Sequence, residues 1–447
     1  MHEKRQNFLL NKIKALSMNE GVKKYAFNTS WLFSEQIIRM VVGLLVGVWV
    51  ARYLGPSKFG LLNYAYSLVG LFGAIATLGL NSVVIRDIVK SKEKDVNILL
   101  GTAFFLKIIG AAITICILWV SIVLIDGDKL TSILVFIIAS STIFQSFNVI
   151  DFYFQAKVKS KFVVYTNFIV LGVASLLKVI LIVTKAPLQY FAMVFLVESI
   201  ILALGLFLFY KLQKNNIKNW KFRKLIAKKL LRDSWPLILS SIAVSIGMRI
   251  DQVMLKTLIN EESVGYYSVG VKLAEVFNFI PVLIVQSVFP KIVGMNFNSD
   301  RKVLVLLIRY VFFALIILGL VVNTLSQFIV NLLYGPNYYP SSNVLDILIW
   351  TIPFVYLNLI TIAILQTKNF NKMVLIRQAT LAGLNILVNL FLIPRYGILG
   401  AAIATVFAEF SVILLGFLIP KERWVFGVRA QALLFIPEKF FTTQKKI

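Results

Sequence analysis

Apolar runs long enough to cross a bilayer recur twelve times along this chain, and that recurrence leaves few folds open. A spanning helix needs about 20 mostly apolar residues. The first six runs centre on Gly43, Gly73, Thr114, Ile143, Gly172 and Ile200, the second six on Ala243, Phe277, Ile317, Tyr356, Ile386 and Phe410. Their lengths suit helices, since membrane barrel strands would be about 9–11 residues with alternating polarity. Composition agrees: only 15% of the 447 residues are charged, against about 25% in soluble domains. Pro281, Pro290 and Pro353 fall inside runs. Neighbouring helices can satisfy the backbone groups that proline frees, so these read as kinks rather than ends.

The loops test the count. Cytoplasmic loops are rich in Lys and Arg. With the N-terminus inside, thirty-three of the 46 basic residues fall on inside segments, six on outside segments and seven within runs. The inside set comprises the N-terminal tail, Arg86–Lys94, Lys157–Lys161, Lys211–Arg232, Lys291–Lys302, Lys368–Lys372 and the tail from Lys421. A missed or invented span would invert the alternation downstream of it. The pattern predicts an all-α, multi-pass membrane protein with both termini cytoplasmic. It also accounts for the formal net charge of +26, so no nucleic-acid partner is expected. The basic N-terminus shows no cleavable signal peptide. Trp424 to Ile436 is too short and basic to span, and reads as an interfacial segment.

An internal repeat follows. Ser30-Trp31, a helix, and then the stretch Tyr53–Tyr64 correspond to Ser234-Trp235, a helix, and then the stretch Thr257–Tyr267, about 205 residues later. The offset equals about six spans, an even number, so the repeat is parallel. It predicts an N-terminal six-helix bundle over 1–210, a basic linker over 211–232, a C-terminal six-helix bundle over 233–420 and a cytoplasmic tail over 421–447.

Ionisable residues inside spans are costly and face a cavity or a partner. Glu35 and Arg39, four apart, share a helix face and can pair, as can Lys272 and Glu275, three apart. Arg249 and Asp251, two apart, point opposite ways, so each needs a partner elsewhere or a watery cavity. Lys107, Glu198 and Glu409 lie as deep. Arg377 and Asp346 lie near span ends and can snorkel to the interface; Arg309 and Lys178 are intermediate. Basic residues lining a cavity suit an anionic head group such as pyrophosphate, because a guanidinium forks onto phosphate oxygens. The single histidine, His2, and the single cysteine, Cys116, leave no basis for histidine catalysis, an internal disulfide or a thiolate metal site. No nucleotide-binding loop, nucleophile elbow or zinc spacing is present. Neither a cofactor nor a metal is expected, and the chain does not read as an enzyme.

Several segments together resemble polysaccharide flippases of the Wzx type. They are Asn28-Thr29-Ser30-Trp31 with Glu35 and Arg39, Ala51-Arg52-Tyr53-Leu54-Gly55-Pro56, Leu78-Gly79-Leu80 with Arg86-Asp87, and Asp151-Phe152-Tyr153-Phe154-Gln155. Further along come Arg249-Ile250-Asp251-Gln252-Val253-Met254-Leu255, Leu333-Tyr334-Gly335 with Tyr338-Tyr339, and Ile393-Pro394-Arg395-Tyr396-Gly397. The resemblance implies the multidrug/oligosaccharidyl-lipid/polysaccharide exporter superfamily, whose fold is two six-helix bundles around a central cavity. It implies a flippase of the bacterial cytoplasmic membrane that moves an undecaprenyl-pyrophosphate-linked oligosaccharide by alternating access, coupled to H+ or Na+. A glycan polymerase and a chain-length regulator are the implied protein partners. Arg39, Arg249, Lys272 and Arg309 are then candidates to hold the anionic substrate. Glu35, Asp251 and Glu275 are candidates to balance charge or carry the coupling ion. Three alternatives stand beside this reading. A lipid II flippase of the MurJ type shares the fold but carries more helices. A drug exporter of the MATE type would favour an acidic cavity. A glycan polymerase or ligase would need a large outside loop, and all outside loops here are short.

Overall fold

The computed structural model describes residues 20–125, 128–295, 300–368, 370–419 and 422–434. The basic tail through Asn19, with His2, and the end of the C-terminal tail, with Phe435 and Ile436, lie outside them. The helices are α1 (Glu20–Thr77), α2 (Leu80–Lys90), α3 (Glu93–Ile125), α4 (Lys129–Phe144), α5 (Val149–Ala156), α6 (Lys161–Val183) and α7 (Leu188–Leu212). They continue as α8 (Lys224–Leu258), α9 (Glu261–Val293), α10 (Arg301–Tyr334), α11 (Pro340–Leu348), α12 (Thr351–Thr367), α13 (Asn371–Leu418) and α14 (Arg423–Leu434). No strand occurs among the described residues, and ten helical segments are long and apolar enough to span. The chain is a multi-pass, all-α membrane protein.

Two of those segments carry a break inside, at Gly55 (φ 71°) and Gly397 (φ 59°). Both angles lie in the left-handed region, which glycine enters without a Cβ penalty. At the first break Gly55 ends one helix and Pro56 starts the next, using a fixed φ at a position whose N–H has no helical partner. Pro353 is not a mid-helix kink. It lies in the first turn of α12, just past the break after α11, where its missing N–H costs nothing.

The chain forms two compact units. The first comprises the described residues up to Trp49 together with Phe72–Ile238. Its core lies at the end that bears the basic loops. It packs Leu80, Val84 and Ile88 of α2 against Leu99, Leu100 and Ala103 of α3, Phe152 and Phe154 of α5, Tyr210 of α7 and Leu230 of α8. Elsewhere large apolar side chains face outward, among them Trp119, Leu124, Leu176 and Leu204. On a soluble protein such a surface would aggregate; here it meets lipid.

The second unit comprises Val50–Leu71 and the described residues from Leu239 onward. Within it α9 packs on α11 and α12, α12 on α13, and α14 on α10 and α13. Gly60 and Gly265 make a reciprocal contact inside this unit. A Cβ on Gly60 would overlap the backbone of Glu261, and a Cβ on Gly265 would overlap that of Pro56. Gly60 and Gly265 are 205 residues apart, as are Pro56 and Glu261, the offset of the sequence repeat. The segment expected to lie at the interface is helical α14, and it is tucked in: Val425, Val428, Arg429 and Ala432 are buried.

Candidate functional site

The second unit holds a buried polar centre around Asp251 of α8, which is 4% exposed. Tyr267 of α9 donates its hydroxyl to Oδ2 at 2.6 Å. Two donors come from α13: Asn389 Nδ2 to Oδ1 at 2.5 Å and Thr405 Oγ1 to Oδ2 at 2.9 Å. Asn385, one turn before Asn389, accepts from Asn389 at 3.0 Å and donates to Thr405 Oγ1 at 3.4 Å. Burying an ionised carboxylate costs several kcal/mol, and three donors to the charged form offset much of that. The centre has oxygens to spare: Asn389 Oδ1 is buried without a hydrogen-bond partner. One carboxylate amid amide, hydroxyl and carbonyl oxygens carries charge for a proton or one alkali cation, and such oxygen groups hold coupling ions in transporters. No group of three metal-ligating residues occurs among the described residues.

The next residue, Gln252, extends the network. Its Oε1 accepts from Ser67 at 2.7 Å and from Ser268 at 3.2 Å. Arg249 points away from Asp251, as a spacing of two on a helix requires, and its side chain runs past Gly70. A Cβ at Gly70 would lie 3.6 Å from Arg249 Nε. Arg249 and Lys272 both act electrostatically on Glu275, and Lys272 Nζ sits 4.6 Å from the ring centre of Phe59. Thus Arg249, Lys272 and Glu275, three residues chosen from sequence, form one charged group with a net positive charge.

The first unit brings together Glu35 and Arg39. They form an ion pair in which Glu35 is buried and the Arg39 side chain is 53% exposed. Asp151 of α5 interacts with Lys107 of α3 and with Glu35. Lys107 is buried, its Nζ 4.9 Å from the ring centre of Phe152. Asp151 belongs to the same cluster but was not among the sequence candidates, although it opens a motif quoted above. Lys178 and Glu198 pair across α6 and α7 at 2.7 Å.

Arg309 lies elsewhere. It donates to the Gln431 and Ala432 carbonyls at 2.8 and 2.9 Å, capping the C-terminal end of α14. Arg377 does not snorkel. It is buried, donates to Glu422 Oε2 at 2.7 Å and binds Asn358 Oδ1, while Asn358 Nδ2 donates to Glu409 at 2.5 Å. Arg429 of α14 donates to Thr361 Oγ1 at 3.2 Å and the Ile413 carbonyl at 2.9 Å. Burial first, and the charge of Arg377 second, push the Arg429 guanidinium down to about 9, with Glu422 opposing.

The family described as polysaccharide biosynthesis protein matches residues 26–296. The capsular polysaccharide biosynthesis protein CapF of Staphylococcus aureus is 22% identical over 394 residues, covering 87% of this chain and 97% of its own. The lipid II flippase MurJ in an inward closed conformation superposes with a TM-score of 0.70 at 16% identity, over 93% of this chain and 94% of its own. An inward-facing multidrug resistance MATE transporter of the MOP superfamily superposes with a TM-score of 0.69 at 15% identity, over 88% of this chain and 96% of its own. The fold is therefore that of MOP superfamily transporters.

Proposed function

Because the chain belongs to the polysaccharide biosynthesis protein family, we propose that it is a flippase moving an undecaprenyl-pyrophosphate-linked oligosaccharide repeat unit across the bacterial cytoplasmic membrane. In this reading both termini are cytoplasmic, transport proceeds by alternating access, and the cargo feeds surface polysaccharide assembly. Arg39, Arg249 and Lys272 bind the pyrophosphate or acidic sugars. Arg309 is the weakest of the four candidates, because its guanidinium already serves α14. Glu35 and Glu275 hold the cations in charge balance. Asp251 carries the coupling H+ or Na+.

The observation that carries the reading is the Arg249–Lys272–Glu275 group. Placing two cations and one carboxylate in apolar spans costs stability, and an anionic cargo is what an excess positive charge there can serve. Depletion in the native cell, followed by mass spectrometry of undecaprenyl-linked species, tests it. Accumulation of a complete repeat unit, shielded from lectin in intact spheroplasts, is the expected result. Accumulation of lipid II moves the assignment to peptidoglycan synthesis. No lipid intermediate, with new sensitivity to cationic drugs, overturns the reading in favour of drug export.

A further inference from the structure

The basic segment ahead of α8 is fixed to the first unit. Ile217 and Trp220 pack on the core there. Trp220 Nε1 donates to Tyr210 OH at 3.2 Å, and its ring lies 5.4 Å from that of Phe104. The backbone then runs directly over α3. A Cβ on Gly101 would lie 2.7 Å from Lys221 N, and Arg223 N donates to Thr102 Oγ1 at 3.2 Å. Gly101 is the ninth residue of α3, which at 1.5 Å per residue puts the crossing about 12 Å along that helix. At this level α3 starts its outward apolar stripe of Phe105, Ile109 and Ile113, all exposed. Phe222 joins the stripe, its ring 5.2 Å from Phe105 and the residue 51% exposed. Leu225 follows at 78% exposed.

Around these apolar side chains stand Lys218, Lys221, Arg223, Lys224 and Lys228, all exposed. No acidic partner pairs with any of the five among the described residues. Asp87 is engaged instead with Arg86 and Lys229, and Asp233 with Arg86 and Arg232. Charge needed for topology alone would require neither a pinned backbone nor an aromatic continuous with the lipid-facing stripe.

We infer that residues 217–228 form a shelf that binds anionic phospholipid head groups. Phe222 and Leu225 enter the head-group boundary, and the five cations contact phosphate oxygens, as polybasic segments beside a span do. The orientation proposed above makes this the cytoplasmic leaflet; the binding itself does not depend on which cargo is carried.

Two measurements on the full-length protein test it. Native mass spectrometry from detergent is run with phosphatidylglycerol and with phosphatidylcholine. The wild type should retain phosphatidylglycerol with about tenfold or greater preference, and the K218Q/K221Q/R223Q/K224Q/K228Q variant should lose that preference. Equal retention by both proteins overturns the inference. The second measurement keeps every charge and needs no stable neutralised variant. Cys116 is the only cysteine, so Cys116→Ser with Phe222→Cys admits one spin label. In phosphatidylglycerol-containing nanodiscs, relaxation by oxygen should exceed relaxation by a water-soluble nickel chelate. Dominant relaxation by the chelate would put residue 222 in water and sink the idea. Inorganic phosphate added at millimolar concentration should leave the lipid preference unchanged; competition would show a site for free phosphate instead.

Discussion

Replacing Glu422 with Gln should be among the costliest single substitutions in the second unit. The Arg377 and Glu422 side chains are 1% and 0% exposed and meet at 2.7 Å. Removing one partner of a buried pair leaves an uncompensated charge, which costs about 3–5 kcal/mol. Two features of the structure set the value within that range. Asn358 continues to bind Arg377 and links it to Glu409, which lowers the cost. Arg429 stands close enough for its charge to oppose that of Arg377, and without Glu422 that repulsion is unrelieved. The two roughly cancel, leaving about 4 kcal/mol, or about 8–16 °C in the melting temperature of a unit this size. Replacing both partners, as R377M/E422L, should recover most of the loss, because apolar groups of similar volume avoid the desolvation cost. Arg377 Nε and Glu422 Oε1 already lack partners, so the pair is not fully satisfied even when intact. Thermal unfolding of purified protein followed by tryptophan fluorescence measures all of these. A Glu422→Gln protein melting within 1–2 °C of wild type would refute the reasoning, as would a double variant no more stable than the worse single one.

Other expectations follow from the same structure. Asp251→Asn keeps the shape of the polar centre and removes its charge, so gradient-driven transport in proteoliposomes should fall at least tenfold while the melting temperature stays within a few degrees; wild-type transport would exclude Asp251 from coupling. Tyr338 donates to the Ala51 carbonyl at 2.8 Å, so Tyr338→Phe should cost about 1 kcal/mol at neutral pH in a denaturation assay. Burial raises the Tyr338 phenol. The unfolded chain therefore releases this proton first, near pH 10, and wild-type stability falls as pH climbs beyond that value. Tyr338→Phe should show a shallower decline there, and equal slopes would contradict the assignment. Gly265→Ala, whose Cβ would lie 2.8 Å from the Pro56 carbonyl carbon, should destabilise by about 1–3 kcal/mol through overpacking; an unchanged melting temperature would show that the two backbones can separate freely.

What the sequence revealed depended on the range over which each signal acts. Spans are local: an apolar run such as that around Ile317 declares itself by length. Glu35 with Arg39 was legible because helix geometry alone brings residues four apart together. The surroundings of Asp251 were not, since Asn389 and Thr405 reach it from 138 and 154 residues away. The one local hint was the spacing of Asn385 and Asn389, four apart in an apolar run. Arg377 was misjudged for the same reason. Its distance from the span end allowed snorkelling, and only packing against the segment of Glu422, 45 residues on, decides otherwise. The carbonyls that Arg309 meets at Gln431 and Ala432 were equally illegible, because a helix C-terminus offers acceptors that hydropathy does not record.

Gly60 and Gly265 meet at positions that correspond in the two copies of the repeat, and so do Pro56 and Glu261, which lie against them. A residue touching its own counterpart is what a homodimer makes on its two-fold axis, where one mutation alters both sides at once. Within one chain the two sides are free to differ, and at the neighbouring positions they do: Leu61 stands where Tyr266 does at the 205-residue offset, and Pro56 where Glu261 does. The glycines stay matched because each is shaped by a backbone rather than by a side chain that could shrink to make room. A chain descended from a self-pairing ancestor would keep the record of that pairing here, in two residues whose side chains are absent.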